Sequence, residues 1–122
     1  MSTLSPRQMF LLDNSCAPMR EQKGVIGVYL VGTAMGPRDG HPPRDIDVRM
    51  IVGDKAFDLL ERAIGRDGIS FMGIAYGQYL ASITGLPVDF QVQRMTESNA
   101  QHKGPRNPLG RRSMASYQGD IQ

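Results

Sequence analysis

The segment from Val25 to Val31 is the feature that most restricts how this chain folds. It reads Val-Ile-Gly-Val-Tyr-Leu-Val and contains no charged side chain. An apolar, β-branched run of this length is typical of a strand that is buried on both faces. We therefore predict that it is the first strand of a sheet that is covered by other elements.

Two later segments alternate with the two-residue period of a strand that has one polar face. In 45–52 the apolar face holds Ile46, Val48, Met50 and Val52, and the polar face holds Asp45, Asp47 and Arg49. In 88–93 the apolar face holds Val88, Phe90 and Val92, and the polar face holds Asp89, Gln91 and Gln93. We expect two carboxylates on the polar face of the second strand and a third on that of the next.

Helix signals lie between and before these strands. Ser5 precedes Pro6, with Gln8 three residues after the serine, which predicts a capped helix start; Pro18 is expected to interrupt that helix.

A second helix is predicted over 55–64, with Asp54 as its N-cap and Gly65 as a left-handed stop. A third is predicted to begin at Ser70 and to end before Gly85. Its small residues Gly73, Gly77 and Ala81 share one face, which favours close packing.

Composition limits the class of protein. The chain has 122 residues, of which 40% are hydrophobic, so one domain is expected. No apolar run approaches the roughly 20 residues that span a bilayer, and the N-terminus lacks a signal-peptide pattern, so we expect a cytoplasmic protein without membrane contact. The single cysteine, Cys16, allows neither an intrachain disulfide nor a cysteine zinc cluster.

Positive charge is concentrated near the C-terminus although the net charge is only +2. We assign residues 1–102 to the folded domain and residues 103–122 to a tail or lid that is basic and rich in proline and glycine. Its bases are Lys103, Arg106, Arg111 and Arg112. Two functions are open for this tail: it binds the phosphates of a nucleic acid or nucleotide, or it is a solvated end of the chain.

Three features in chain order point to phosphoryl chemistry. Gly32 and Thr33 follow the first strand, Asp45 and Asp47 open the second, and Asp89 lies in the third. Three carboxylates on adjacent strands make an oxygen-rich site that suits Mg²⁺, and two such ions about 3.5–4 Å apart stabilise an in-line phosphoryl displacement. Gly32 would let a phosphate approach the backbone, and Thr33 would offer a hydroxyl donor.

The order Leu30-Val-Gly-Thr33, Asp45-Ile-Asp-Val48 and Val88-Asp-Phe90 resembles the polymerase-β-like nucleotidyltransferase superfamily, in particular its minimal stand-alone members. The resemblance covers roughly residues 25–93. It implies an α/β (α+β) domain with a short mixed sheet flanked by helices. It also implies that Asp45, Asp47 and Asp89 bind the metals, with Asp89 helping to deprotonate the acceptor hydroxyl.

The resemblance further implies that Gly32 and Thr33 hold the phosphates of a nucleoside triphosphate. The family usually has serine after the glycine and a basic residue close behind. Here Thr33 keeps the hydroxyl, and the nearest bases are Arg38 and Arg44, which we assign to the nucleotide. The Pro-rich loop 36–44 between them also departs from the family pattern.

The expected activity is Mg²⁺-dependent transfer of a nucleoside monophosphate to a hydroxyl of an unidentified protein, nucleic acid or small molecule. A chain of 122 residues leaves few residues to bind the acceptor, so we expect a homodimer or a partner protein to complete the acceptor site. Two alternatives stay open: a catalytically weak or inactive nucleotide-binding module of the same fold, and a small nucleic-acid-binding protein that acts through the basic tail.

Overall fold

A computed structural model describes residues 4–31, 46–101, 104 and 106–111. Their elements are helix α1 (Pro6–Arg20), strand β1 (Val25–Val31), strand β2 (Ile46–Val52), helix α2 (Asp54–Thr84), strand β3 (Val88–Arg94), helix α3 (Met95–Gln101) and strand β4 (Asn107–Leu109). The predicted α+β class is therefore confirmed.

The described strands form one mixed sheet in the order β3-β2-β1-β4. Strand β1 runs antiparallel to both of its neighbours, β2 and β4, whereas β2 and β3 are parallel. The parallel pair is connected through α2, because two parallel strands need a crossover between them.

The hydrophobic core lies between the sheet and the helices α1 and α2. It contains Leu12 from α1, Leu80 from α2 and the apolar faces of the strands, including Leu30, Val48 and Phe90. These are the apolar faces that the two-residue period predicts. The polar faces of β2 and β3 consequently point away from the core.

Helix α1 begins with the predicted capping box. Gln8 N–H donates to the Ser5 hydroxyl over 3.1 Å, and Ser5 N–H donates to the Gln8 side chain over 3.0 Å. The expected interruption at Pro18 is wrong, because the helix continues to Arg20. Proline removes one N–H donor, but the N–H of Glu21 still donates to the Ala17 carbonyl and closes the last turn.

Helix α2 consists of two helical segments joined at Gly65, whose φ of 75° and ψ of 171° are not helical. The predicted stop at Gly65 is therefore confirmed, whereas the predicted start at Ser70 is wrong, because the second segment is already helical at Arg66. Gly53, not Asp54, occupies the N-cap position, since the Asp54 carboxylate accepts the backbone N–H of Thr96 over 3.0 Å. Among the described residues, no helix is at once long and apolar enough to cross a membrane.

The small-residue face of α2 lies against the backbone of β3. A Cβ atom on Gly73 would be 2.8 Å from the Phe90 carbonyl oxygen, and one on Gly77 would be 3.1 Å from that of Val88. Real Cβ atoms essentially never come as close to another atom as one on Gly73 would, so the approach at Gly73 requires glycine, and a Cβ atom on Gly77 would make a contact tighter than most. The predicted close packing of this face is confirmed. Its partner is β3, one of the two edge strands of the described sheet.

Strand β4 corrects the expectation of a tail for residues 107–109. They pair with Val28, Tyr29 and Leu30 of β1, and Leu109 is fully buried. Just beyond, Gly110 N–H donates to the buried carboxylate of Asp13 over 3.1 Å. A Cβ atom on Gly110 would be 2.8 Å from the Cys16 carbonyl oxygen, so glycine lets the chain pass close to α1.

Candidate functional site

Two residues of the predicted constellation, Asp47 and Asp89, meet at one end of the sheet, beside the last residue of β1. Val31, the last residue of β1, is paired with Asp47 of β2, and Asp47 is paired with Asp89 of β3. These residues form one row across three strands. Strand β1 therefore ends beside the point where β2 and β3 carry their first described carboxylates.

Asp47 and Asp89 lie directly opposite each other in a parallel pair. Opposed residues project from the same face, and neighbouring strands are about 4.8 Å apart. The adjacent residues Val48 and Phe90 are buried in the core, whereas both aspartates are only half-buried. The two carboxylates therefore lie side by side on the face that points away from α1 and α2.

The remaining predicted site residues are Gly32, Thr33, Arg38, Arg44 and Asp45, and they lie outside the described residues. Within the described ranges, no three histidine, cysteine, aspartate or glutamate side chains come together as a metal-binding group. The third carboxylate and the phosphate ligands thus stay predictions, while the positions of Asp47 and Asp89 are determined.

Arg49 is a member of this site to which the sequence analysis gave no role. Its guanidinium donates to the Asp89 carboxylate Oδ2 over 3.2 Å, to the Asp89 carbonyl over 2.8 Å and to the Val48 carbonyl over 3.0 Å. The two-residue period places Arg49 on the face of Asp47, so its face was predictable. Its partner was not, because the contact depends on the register of β2 against β3.

The electrostatics of the pair favour a cation. Two carboxylates on adjacent strands repel each other, and a positive charge between them removes that repulsion. Arg49 supplies one such charge at Oδ2 of Asp89. Carboxylate oxygens are the ligands that Mg²⁺ prefers, so the donor set fits that ion.

A groove of about 640 Å³ runs between α2 and β3 and reaches Asp89. Its wall includes the close-packed Gly73 and Gly77, and its rim includes Gln78 and Ser82. Apart from Asp89, none of its described lining residues carries a charge. It offers space for an uncharged group between α2 and the strand that carries Asp89.

The described bases of the predicted tail are Arg106 and Arg111, since Lys103 and Arg112 lie outside the described residues. Arg106 donates to the Asn99 side chain over 3.0 Å and to the Ser98 carbonyl over 3.3 Å, and its guanidinium lies 5.8 Å from the centre of the Tyr29 ring. The Arg106 side chain therefore binds other residues of the protein. Arg111 is exposed.

Cys16 does not form a second reactive centre. The thiol is buried in the core, and burial together with the nearby Asp13 carboxylate raises the pKa of Cys16 to about 12. A thiol nucleophile must ionise, so this cysteine is unreactive in the folded protein.

Comparison of the chain with protein-family models, with curated proteins and with solved structures found no match.

Proposed function

We propose that this protein is a Mg²⁺-dependent nucleotidyltransferase. The single observation that supports this most is the register of the sheet, in which Asp47 lies opposite Asp89 and Val31 completes the row. Metal-binding carboxylates on two strands must be neighbours to bind one cation, and β2 and β3 meet this requirement. The proposal adds Gly32 and Thr33, which follow Val31 in the sequence, as the phosphate-binding residues.

Each residue then has a role in transferring a nucleoside monophosphate. Asp47 and Asp89, with Asp45, hold Mg²⁺, which when bound neutralises phosphate charge and stabilises the attacking and leaving oxygens. Gly32, Thr33, Arg38 and Arg44 hold the triphosphate. The acceptor hydroxyl loses its proton to Asp89, its oxygen bonds to the α-phosphorus, and the bond from that phosphorus to pyrophosphate breaks.

The groove beside Asp89 is where we expect the acceptor to bind. Because β3 is an edge strand of the described sheet, an acceptor in this groove would reach around β3 to bring its hydroxyl to the Asp89 carboxylate. The acceptor stays undefined among a protein, a nucleic acid and a small molecule, and a homodimer or partner protein would complete the wall. A cytoplasmic location, expected from the single cysteine, belongs to the same proposal.

A second function is favoured by the ion pair between Arg49 and Asp89. A cation of the protein already occupies part of the carboxylate pair, as would suit a nucleotide-binding module with weak or no turnover. The third function, nucleic-acid binding through the basic tail, is less favoured because Arg106 is used in internal contacts.

The test combines binding with turnover. Each nucleoside triphosphate is added with Mg²⁺ to the protein, thermal unfolding is measured, and label transfer from an α-³²P-labelled triphosphate is followed with cleared cell lysate as the source of acceptors. The proposal expects a higher Tm together with label transfer and pyrophosphate release. A higher Tm without label transfer or pyrophosphate release supports the inactive module. If the nucleotides neither raise the Tm nor give label transfer, the enzyme and the inactive nucleotide-binding module are both contradicted.

Variants assign the effect to the site. Asp47→Asn and Asp89→Asn each remove one anionic ligand without loss of volume, so turnover should fall by at least about a hundredfold while the protein stays folded. Asp67→Asn makes the same chemical change at an exposed residue of α2 and should leave turnover unchanged. Equal turnover in all three variants would contradict the assignment.

A further inference from the structure

Arg49 is held at the carboxylate pair by more than its charge. Two of its three hydrogen bonds go to main-chain carbonyls, one on β2 and one on β3. Its side chain is 16% exposed, whereas that of Asp89 is 43% exposed. The guanidinium is therefore fixed against the sheet, in contrast to a surface arginine whose side chain samples many rotamers.

These contacts bring one positive charge to the carboxylate of Asp89, so the negative charge of that carboxylate is already partly compensated when a cation arrives. A divalent ion that binds the pair meets the repulsion of the guanidinium at a distance of a few ångströms. In an exposed site, such repulsion corresponds to about tenfold in affinity or more.

We propose that Arg49 is a built-in counter-cation that competes with the divalent metal for Asp89. This inference rests on the proposed function, since it assumes that Asp47 and Asp89 bind that metal. Arg49 stabilises the paired carboxylates when no metal is bound and lowers the affinity for metal alone. The metal then binds firmly only when the phosphates of a nucleotide supply further negative charge.

Two substitutions separate the charge of Arg49 from its hydrogen bonds. Arg49→Gln removes the charge and keeps a donor for the carbonyls of Val48 and Asp89. Arg49→Lys keeps the charge on a different donor group. Arg62→Gln, at an exposed position of α2, controls for the loss of one positive charge from the whole protein.

The readout is the affinity for Mn²⁺ alone, measured from the electron paramagnetic resonance signal of the free ion, and the Tm in EDTA. Arg49→Gln should bind Mn²⁺ about tenfold more tightly than the natural chain and should have a lower Tm in EDTA. Added Mn²⁺ should raise the Tm of this variant more than that of the natural chain. Arg49→Lys and Arg62→Gln should keep the natural Mn²⁺ affinity within about twofold.

A purely structural role for Arg49 gives a different pattern. In that case Arg49→Gln lowers the Tm but leaves the Mn²⁺ affinity and the Mn²⁺-induced rise in Tm unchanged, and the inference is overturned. It is also overturned if the variant stays unfolded with saturating Mn²⁺, because the arginine then serves the fold itself.

The two proposals fail in distinguishable ways. If the natural chain and Arg49→Gln both lack Mn²⁺ binding that depends on Asp47, the cation site of the proposed function is absent. If the natural chain binds Mn²⁺ and Asp47→Asn abolishes that binding, but Arg49→Gln does not tighten it, only the role of Arg49 is contradicted.

Discussion

Replacing Leu109 by alanine tests whether β4 is part of the folded core. Leu109 is fully buried, belongs to the core cluster and is paired with Val28 of β1. If residues 107–109 were a solvated tail, shortening this side chain would cost almost nothing. If they form the edge of the sheet, the substitution leaves a cavity between the sheet and α1.

The size of the effect follows from the burial. Leucine-to-alanine substitutions at fully buried sites cost about 2–5 kcal/mol, the sum of lost transfer free energy and the cavity. We expect about 3 kcal/mol for Leu109→Ala, because a three-residue strand can relax partly into the space. In a domain of this size that loss lowers the Tm by about 10 °C.

The assay is urea unfolding followed by circular dichroism, with Leu59→Ala as the matched control. Leu59 lies on α2 and is 55% exposed, so the same chemical change should cost less than about 1 kcal/mol. A loss for Leu109→Ala that is no larger than the loss for Leu59→Ala would refute the placement of β4 in the core.

Two further predictions concern the packing of α2 and the buried thiol. Gly73→Ala places a Cβ atom 2.8 Å from the Phe90 carbonyl oxygen. The clash should exceed the gain in helix propensity of about 1 kcal/mol, so we expect a lower free energy of unfolding. A variant that is more stable than the natural chain would contradict the close approach. Burial raises the pKa of Cys16 to about 12, so its contribution to stability is complete below the pKa of the unfolded thiol and is lost as pH rises toward 12. The difference in unfolding free energy between the natural chain and Cys16→Ala should therefore shrink above about pH 9, and a difference that is constant up to pH 11 would contradict this.

The strand faces and the helix start could be read from local patterns. The two-residue period predicts that Asp47 and Asp89 point away from the core, because each alternates with core residues such as Val48 and Phe90. The capping box at Ser5 and Gln8 involves residues three apart, so its chemistry is complete within the sequence.

The elements that could not be predicted from the sequence depend on long-range contacts. Residues 107–109 contain Pro108 and precede a glycine, a composition that is typical of a loop; their place in the sheet comes from the burial of Leu109 and from Asp13, which lies far away in the chain. The contact of Arg49 with Asp89 likewise joins two strands whose register no local pattern determines.

The most direct measurement of the cation site is paramagnetic broadening of backbone amide signals by Mn²⁺. Small amounts of Mn²⁺ are added to the ¹⁵N-labelled protein, with and without a nucleoside triphosphate. We expect the signals of Asp47 and Asp89 to broaden first, together with that of Val31, and the triphosphate to strengthen the effect. Broadening that centres on other residues, or that persists unchanged in the Asp47→Asn, Asp89→Asn double variant, would contradict the account.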